Sequence, residues 1–163
     1  MANRGNPFEE MRRRLEALKS PQFQATLAQR CGAAAMKTTA DCFRQSRDPY
    51  GRAWKRLRMR AGKPLLDTGA LAASIAAQPG PGWFRLVAPK KYAAVHQFGA
   101  TIKPVNGKYL AWGVRGRKGK VFAKQVTIPA RPFFPDAARG IPRDMAEAFA
   151  EEFRELVREV VTG

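Results

Sequence analysis

The 163-residue chain has one histidine, two cysteines and no acidic residue between Asp67 and Asp136. Each scarcity removes a class of chemistry. A lone His96 cannot supply His–His metal spacing, and Cys31 with Cys42 leaves no second pair for a structural zinc site. In a reducing compartment both cysteines stay thiols, and among alanines they read as small side chains on a helix face. A cysteine nucleophile would need His96 beside it and a third group to orient the ring. Ser20, Ser46 and Ser74 lack the context of a nucleophile elbow. The acid-free interval makes a carboxylate-pair hydrolase hard to build. No apolar run reaches the roughly 18 residues of a membrane span. MANRGNPFEE lacks a signal-peptide core, so the expectation is a soluble protein made in the cytosol, without a membrane partner. No enzyme and no cofactor are expected.

Positive charge is plentiful. Thirty Lys and Arg against thirteen Asp and Glu leave a net +17. Residues 1–66 carry +10, residues 67–140 another +10, and residues 141–163 carry −3. A basic body with an acidic tail suits a polyanion, usually nucleic acid, or a mate with a negative surface. Self-association of acidic tail on basic body would use the same asymmetry.

Periodicity predicts three helical tracts at the ends of the chain. Phe8, Met11, Leu15 and Leu18 follow helical spacing, with Glu9 and Glu10 in the first turn and Lys19 in the last. Arg12-Arg13-Arg14 falls mostly on the solvated face. Ser20-Pro21 restarts the helix as a cap followed by proline, and Phe23, Leu27, Cys31, Ala34, Ala35 and Cys42 share a face to about Phe43. The alanines make that face shallow enough for another helix to approach closely. From Pro142, the stripe Met145, Phe149, Phe153, Leu156 and Val160 predicts a C-terminal amphipathic helix.

Between these tracts the chain reads as turns and short strands. Asp48-Pro49-Tyr50-Gly51 is turn chemistry, followed by Trp54 and Leu57 among Arg52, Lys55, Arg56, Arg58, Arg60 and Lys63. Interleaved basic and aromatic residues suit nucleic acid, but a lone tryptophan also anchors a segment to a core. In the turn Asp67-Thr68-Gly69, an Asp or Thr oxygen can cap the helical turn carrying Leu71 and Ile75. Gln78 to Gly82 reads as a break, and Trp83–Val87 as a strand. Tyr92 to Phe98 reads as a short helix with Tyr92, Val95 and Phe98 inward. At its end, His96-Gln97-Phe98-Gly99 forms a corner that the His96 imidazole is expected to fix through a hydrogen bond. Strands are expected at 101–105, 109–112 and 121–128. The basic, glycine-rich tip between the last two offers Arg115, Arg117, Lys118 and Lys120 as the best polyanion contact. Three prolines make Ile128–Pro135 an extended strap that docks Phe133 and Phe134.

The whole reads as one α+β domain, 1–163. N-terminal helices occupy 1–45. The motif-bearing region, 46–135, holds a small, mostly antiparallel sheet of about four strands, and a C-terminal helix over 141–161 packs on it.

Four motifs, in order and spacing, resemble the virion morphogenesis or tail-completion proteins of Mu-like tailed phages. The matching residues are Asp48, Gly51 and Trp54, then Leu65 or Leu66, Thr68, Gly69, Leu71 and Ser74. The third motif is Ala93 or Ala94 with His96, Phe98 and Gly99, and the fourth is Ile128 to Phe133, including Pro129, Arg131 and Pro132. The tract from Pro135 to Ile141 departs from the pattern by delaying the final helix. The resemblance implies a structural neck protein in the virion, assembled in the host cytoplasm, with no catalytic residues. It further implies a ring of copies, a hexamer favoured, that meets other neck, tail-terminator or connector proteins and touches genomic DNA without sequence preference. The competing reading is a sequence-independent nucleic-acid module using segment 52–63 and loop 115–120. An enzyme built on His96 is the third.

Overall fold

A computed structural model describes residues 6–57, 61–113 and 118–162. In chain order its elements are α1 (Pro7–Ala17), α2 (Pro21–Gln45), α3 (Ala70–Ser74), β1 (Ala76–Gly80), β2 (Trp83–Val87) and α4 (Ala93–Phe98). They continue with β3 (Ala100–Ile102), β4 (Leu110–Gly113), β5 (Lys120–Ala123), β6 (Val126–Ile128) and α5 (Arg143–Thr162). The class is α+β, as the periodicities predict. The chain divides into two compact units, one from Met1–Thr38, Ala76–Val87 and Ile141–Gly163, the other from Thr39–Ile75 and Ala88–Gly140. Helix α2 contributes to both.

In the first unit the helix starts are capped as their sequences dictate. The Asn6 side chain accepts from the Phe8 N–H at 3.0 Å, and the Ser20 hydroxyl accepts from the Phe23 N–H at 3.1 Å, each just before a proline. Strands β1 and β2 form an antiparallel hairpin, Ala76 opposite Val87 and Gly80 opposite Trp83. This corrects the expected break at Gln78–Gly82. Pro81-Gly82 is a two-residue turn, with Gly82 at φ +73°, so the glycines and prolines reverse the chain without ending the ladder.

The shallow face of α2 receives this hairpin, and helix α5 reaches α2 as well through Phe153 and Glu159. A Cβ on buried Gly32 would lie 3.3 Å from the Ala77 Cβ. Phe84 meets Phe149 of α5 edge-on at 5.6 Å, so the C-terminal helix does pack on sheet. Phe23 meets Phe153 the same way at 6.2 Å. Met145 and Leu156 are buried, contributing on the order of 1.5–3 kcal/mol each. Cys31 is also buried, and desolvation, then the Glu152 carboxylate, pushes its thiol up.

The second unit holds the motifs. Its strands form two separate antiparallel ladders, β3 with β6 (Ala100 opposite Ile128) and β4 with β5 (Leu110 opposite Ala123). With the β1–β2 hairpin the described residues carry three ladders of two strands each, not one sheet of about four. The expected strand over 121–128 divides at Lys124-Gln125, and its halves pair with different neighbours. Alternation alone does not reveal that change of partner.

Helix α4 is present but turned. Ala93 and Gln97, four residues apart, are buried, whereas Phe98 is 78% exposed and Tyr92 is also exposed. The expectation of Tyr92 and Phe98 inward is therefore overturned. A six-residue helix buries one short face, and Gln97 takes it because its amide meets main-chain groups of the strap.

Candidate functional site

Asp48 builds the first part of the site. Its carboxylate accepts from the Tyr50 N–H at 2.9 Å and the Arg52 N–H at 2.8 Å, and its own N–H donates to the Arg52 carbonyl at 2.8 Å. Gly51 sits at φ +85°, which the turn needs. The other carboxylate oxygen lies 3.5 Å from the Arg139 guanidinium, which stacks 3.6 Å over the Tyr50 ring. The Tyr50 hydroxyl accepts from the Asp136 N–H at 2.9 Å and donates to the Gly140 carbonyl at 2.7 Å. The tract after the strap is thus a folded turn, pinned by a tyrosine.

Trp54 ties this turn to the strap. Its indole N–H donates to the Pro132 carbonyl at 2.8 Å, and its ring meets Phe43 edge-on at 5.5 Å. Phe43 also packs on Phe133 at 5.4 Å, and Phe133 is 0% exposed. Of the two readings of Trp54, anchoring is the one its burial matches.

The corner is held differently from expectation. The Gln97 side-chain carbonyl accepts from the Phe133 N–H at 3.0 Å and the Phe134 N–H at 3.1 Å, while its NH₂ donates to the Phe134 carbonyl at 3.1 Å. His96 contributes its main chain, accepting from the Arg131 N–H at 2.7 Å. Among the described residues its buried Nδ1 has no hydrogen-bond partner, so the bonds seen at the corner are those of Gln97 and the main chain rather than of the imidazole. Gly99 has φ +75°, and a Cβ there would lie 2.8 Å from the Ala130 nitrogen, so only glycine fits. Arg131 is buried, and its Nε donates to the Lys55 carbonyl at 2.9 Å. Sequence reasoning missed Gln97 and Tyr50. The four-residue spacing of Ala93 and Gln97 was the available signal for the first, and nothing local marked the second.

The Asp67-Thr68-Gly69 turn joins the same unit. The Thr68 hydroxyl accepts from the Ala70 N–H at 3.3 Å, Gly69 starts α3 at φ +75°, and Leu71 is buried. The Ser74 hydroxyl donates to the Leu71 carbonyl at 2.8 Å, a local bond within α3. A pocket of about 340 Å³ is lined by Asp67, Thr68, Leu71, Tyr92, His96 and Arg131, among others. His96 thus sits at a cleft, but no group among the described residues hydrogen-bonds its Nδ1 to set a tautomer, as a general base requires. Among the described residues no cluster of His, Cys, Asp or Glu is placed to hold a metal.

The basic candidates separate. Lys118 and Lys120 are exposed, while Arg115 and Arg117 lie outside the described residues. In segment 52–63, Arg52, Lys55, Arg56 and Lys63 are exposed, and Arg58 and Arg60 lie outside the described residues.

Burial, then the charge of Arg131, lowers the His96 pKa below its ordinary value. An unfolded imidazole takes up its proton near about pH 6.5. The stability that comes from keeping the ring neutral is therefore complete above that pH and lost as pH falls through the lower folded value. Thermal melts should show a steeper acid loss for wild type than for His96→Gln. Parallel curves for the two proteins would refute this.

Residues 5–159 match the phage virion morphogenesis family. A curated relative, Mu-like prophage FluMu G protein 2 of Haemophilus influenzae, is 36% identical over 100 residues, covering 60% of this chain and 59% of that protein. The match spans less than two thirds of that relative's length. No solved structure matches.

Proposed function

The chain belongs to the phage virion morphogenesis family, and from that premise we propose that it is a structural subunit of the particle neck. It completes the tail and joins it to the head, assembling as a ring, a hexamer favoured, at the head-proximal end of the tail around the DNA channel. Its partners are further copies of itself and the neighbouring neck, tail-terminator or connector proteins. It acts without catalysis, in particles put together in the host cytoplasm.

One observation carries this reading: five polar side chains of the motif-bearing region are engaged with main chain. Asp48, Tyr50, Trp54, Gln97 and Arg131 all bond backbone groups of the turn, the corner or the strap. Such a set makes a rigid frame, and rigid frames present surfaces. The net +17 suits a subunit near packaged DNA, where Lys and Arg meet phosphates without reading bases.

Deleting the gene from the phage that encodes this chain tests the proposal. The expected result, by electron microscopy, is DNA-filled heads beside unattached tails, rescued by the gene in trans. Normal joined particles in the deletion would overturn it.

A further inference from the structure

Two exposed apolar surfaces of opposite charge lie in different units of the chain. The first is the β4–β5 ladder with its flanking loop. Val105 is 93% exposed and Phe122 64% exposed, and Tyr109, just before β4, is exposed too. Among the described residues the ladder is two strands wide, and neither outer edge has a strand neighbour there. Between Gly99 and Ala130 the chain carries seven basic residues and no acidic one. Of these, Lys103, Lys108, Lys118, Lys120 and Lys124 are exposed.

The second surface is formed by α1 and α5. Helix α1 buries none of its residues, and its apolar stripe faces solvent, with Phe8 81% exposed and Met11 and Leu15 also exposed. Met11, Leu15 and Val161, with Pro7, Glu10 and Arg14, line a groove of about 300 Å³. Along α5, Glu147, Glu151 and Glu155 are exposed at four-residue spacing, turned away from buried Met145 and Leu156. This is the part of the chain where acid outnumbers base, net −3 over 141–163.

We propose that the β4–β5 arm of one copy docks on the α1–α5 face of the next. The inference rests on the neck-subunit reading and names the surfaces by which the ring is built. Charge complementarity selects a second copy as the occupant. Exposed Phe122, Tyr109 and Val105 favour a protein groove over a DNA backbone, which offers phosphates and no apolar hollow. Because the two patches are different surfaces, the contact is head-to-tail. Each copy then offers one free arm and one free face, and such contacts close into rings when the rotation permits.

Charge reversal tests this. Lys120→Glu with Lys124→Glu inverts the arm, and Glu151→Lys with Glu155→Lys inverts the face. All four positions are exposed, and circular dichroism checks that each variant folds. Light scattering at low salt should show wild type self-associating and each variant weakened by about tenfold or more. An equimolar mixture of the two variants should associate again, because each inverted surface then meets its complement. Three results would overturn the proposal: a wild type that stays monomeric at its solubility limit, variants that associate like wild type, or a mixture that is not rescued. If the arm instead takes duplex DNA, arm reversal abolishes a salt-sensitive gel shift while face reversal leaves association untouched, which also overturns it. Complementing the gene deletion with each variant separates the two levels. Variants that restore joined particles sink the contact and leave the neck role standing, whereas a dispensable wild-type gene sinks the role itself.

Discussion

Phe133→Ala should destabilise the protein by about 3–5 kcal/mol, read as a lower urea midpoint. The ring is 0% exposed and sits between Phe43, 5.4 Å away, and Phe134, 4.8 Å away. Removing it leaves a cavity that two neighbouring aromatic rings are too stiff to fill, so both the transfer and the cavity contributions are lost. The second loss is in the strap. The Phe133 N–H bonds Gln97 and the Pro132 carbonyl bonds Trp54, and both bonds depend on the ring holding that backbone in place. Phe98→Ala is the control, because that ring is 78% exposed and its removal should change stability by about 0.5 kcal/mol or less. Equal losses at the two positions would contradict the packing described above.

Gln97→Leu should cost about 3–5 kcal/mol although it removes no carbon volume of note, because each buried group left unpaired costs about 1–3 kcal/mol. Three main-chain groups lose their partner: the N–H groups of Phe133 and Phe134 and the carbonyl of Phe134. The Phe133 N–H is buried, so water does not replace the amide there. Gln97→Glu sharpens the test. It keeps an oxygen for the two N–H donors but sets a second oxygen against the Phe134 carbonyl, so at neutral pH two acceptors oppose each other. Protonating the carboxyl restores a donor. Gln97→Glu should therefore recover stability relative to wild type as pH falls, the opposite of the wild-type His96 effect. A Gln97→Leu protein as stable as wild type would show that the corner is not pinned by this amide.

These two residues illustrate how much of the site was legible beforehand. Phe133 stands in a proline-rich strap whose composition forbids an interior strand, so its docking followed from residue types alone. Gln97 carried only its four-residue spacing from Ala93. It lies between a histidine and a phenylalanine that attract attention, yet the imidazole Nδ1 has no partner among the described residues and the phenyl ring faces solvent. Tyr50 is similar: its hydroxyl bonds groups 86 and 90 positions away, at Asp136 and Gly140. Local patterns report which residue types meet water and which turn the chain. They do not report which distant main-chain groups a side chain will find.

The sequence by itself determined the class of this protein: the helices from their apolar spacing, the cap at Ser20, the turns at Asp48–Gly51 and Asp67–Gly69, and the charge asymmetry. Its four motifs in register also carried the resemblance to the family that residues 5–159 match. Only the tertiary structure decided that β1–β2 forms a hairpin, that the strand after Lys120 changes partners at Lys124-Gln125, and that the Gln97 amide rather than the His96 imidazole pins the strap. Caps, turns and periodicity are contacts between near neighbours, whose geometry a few residues set. Strand partnering and buried polar satisfaction depend on which segments meet in space, and many pairings are compatible with one local pattern.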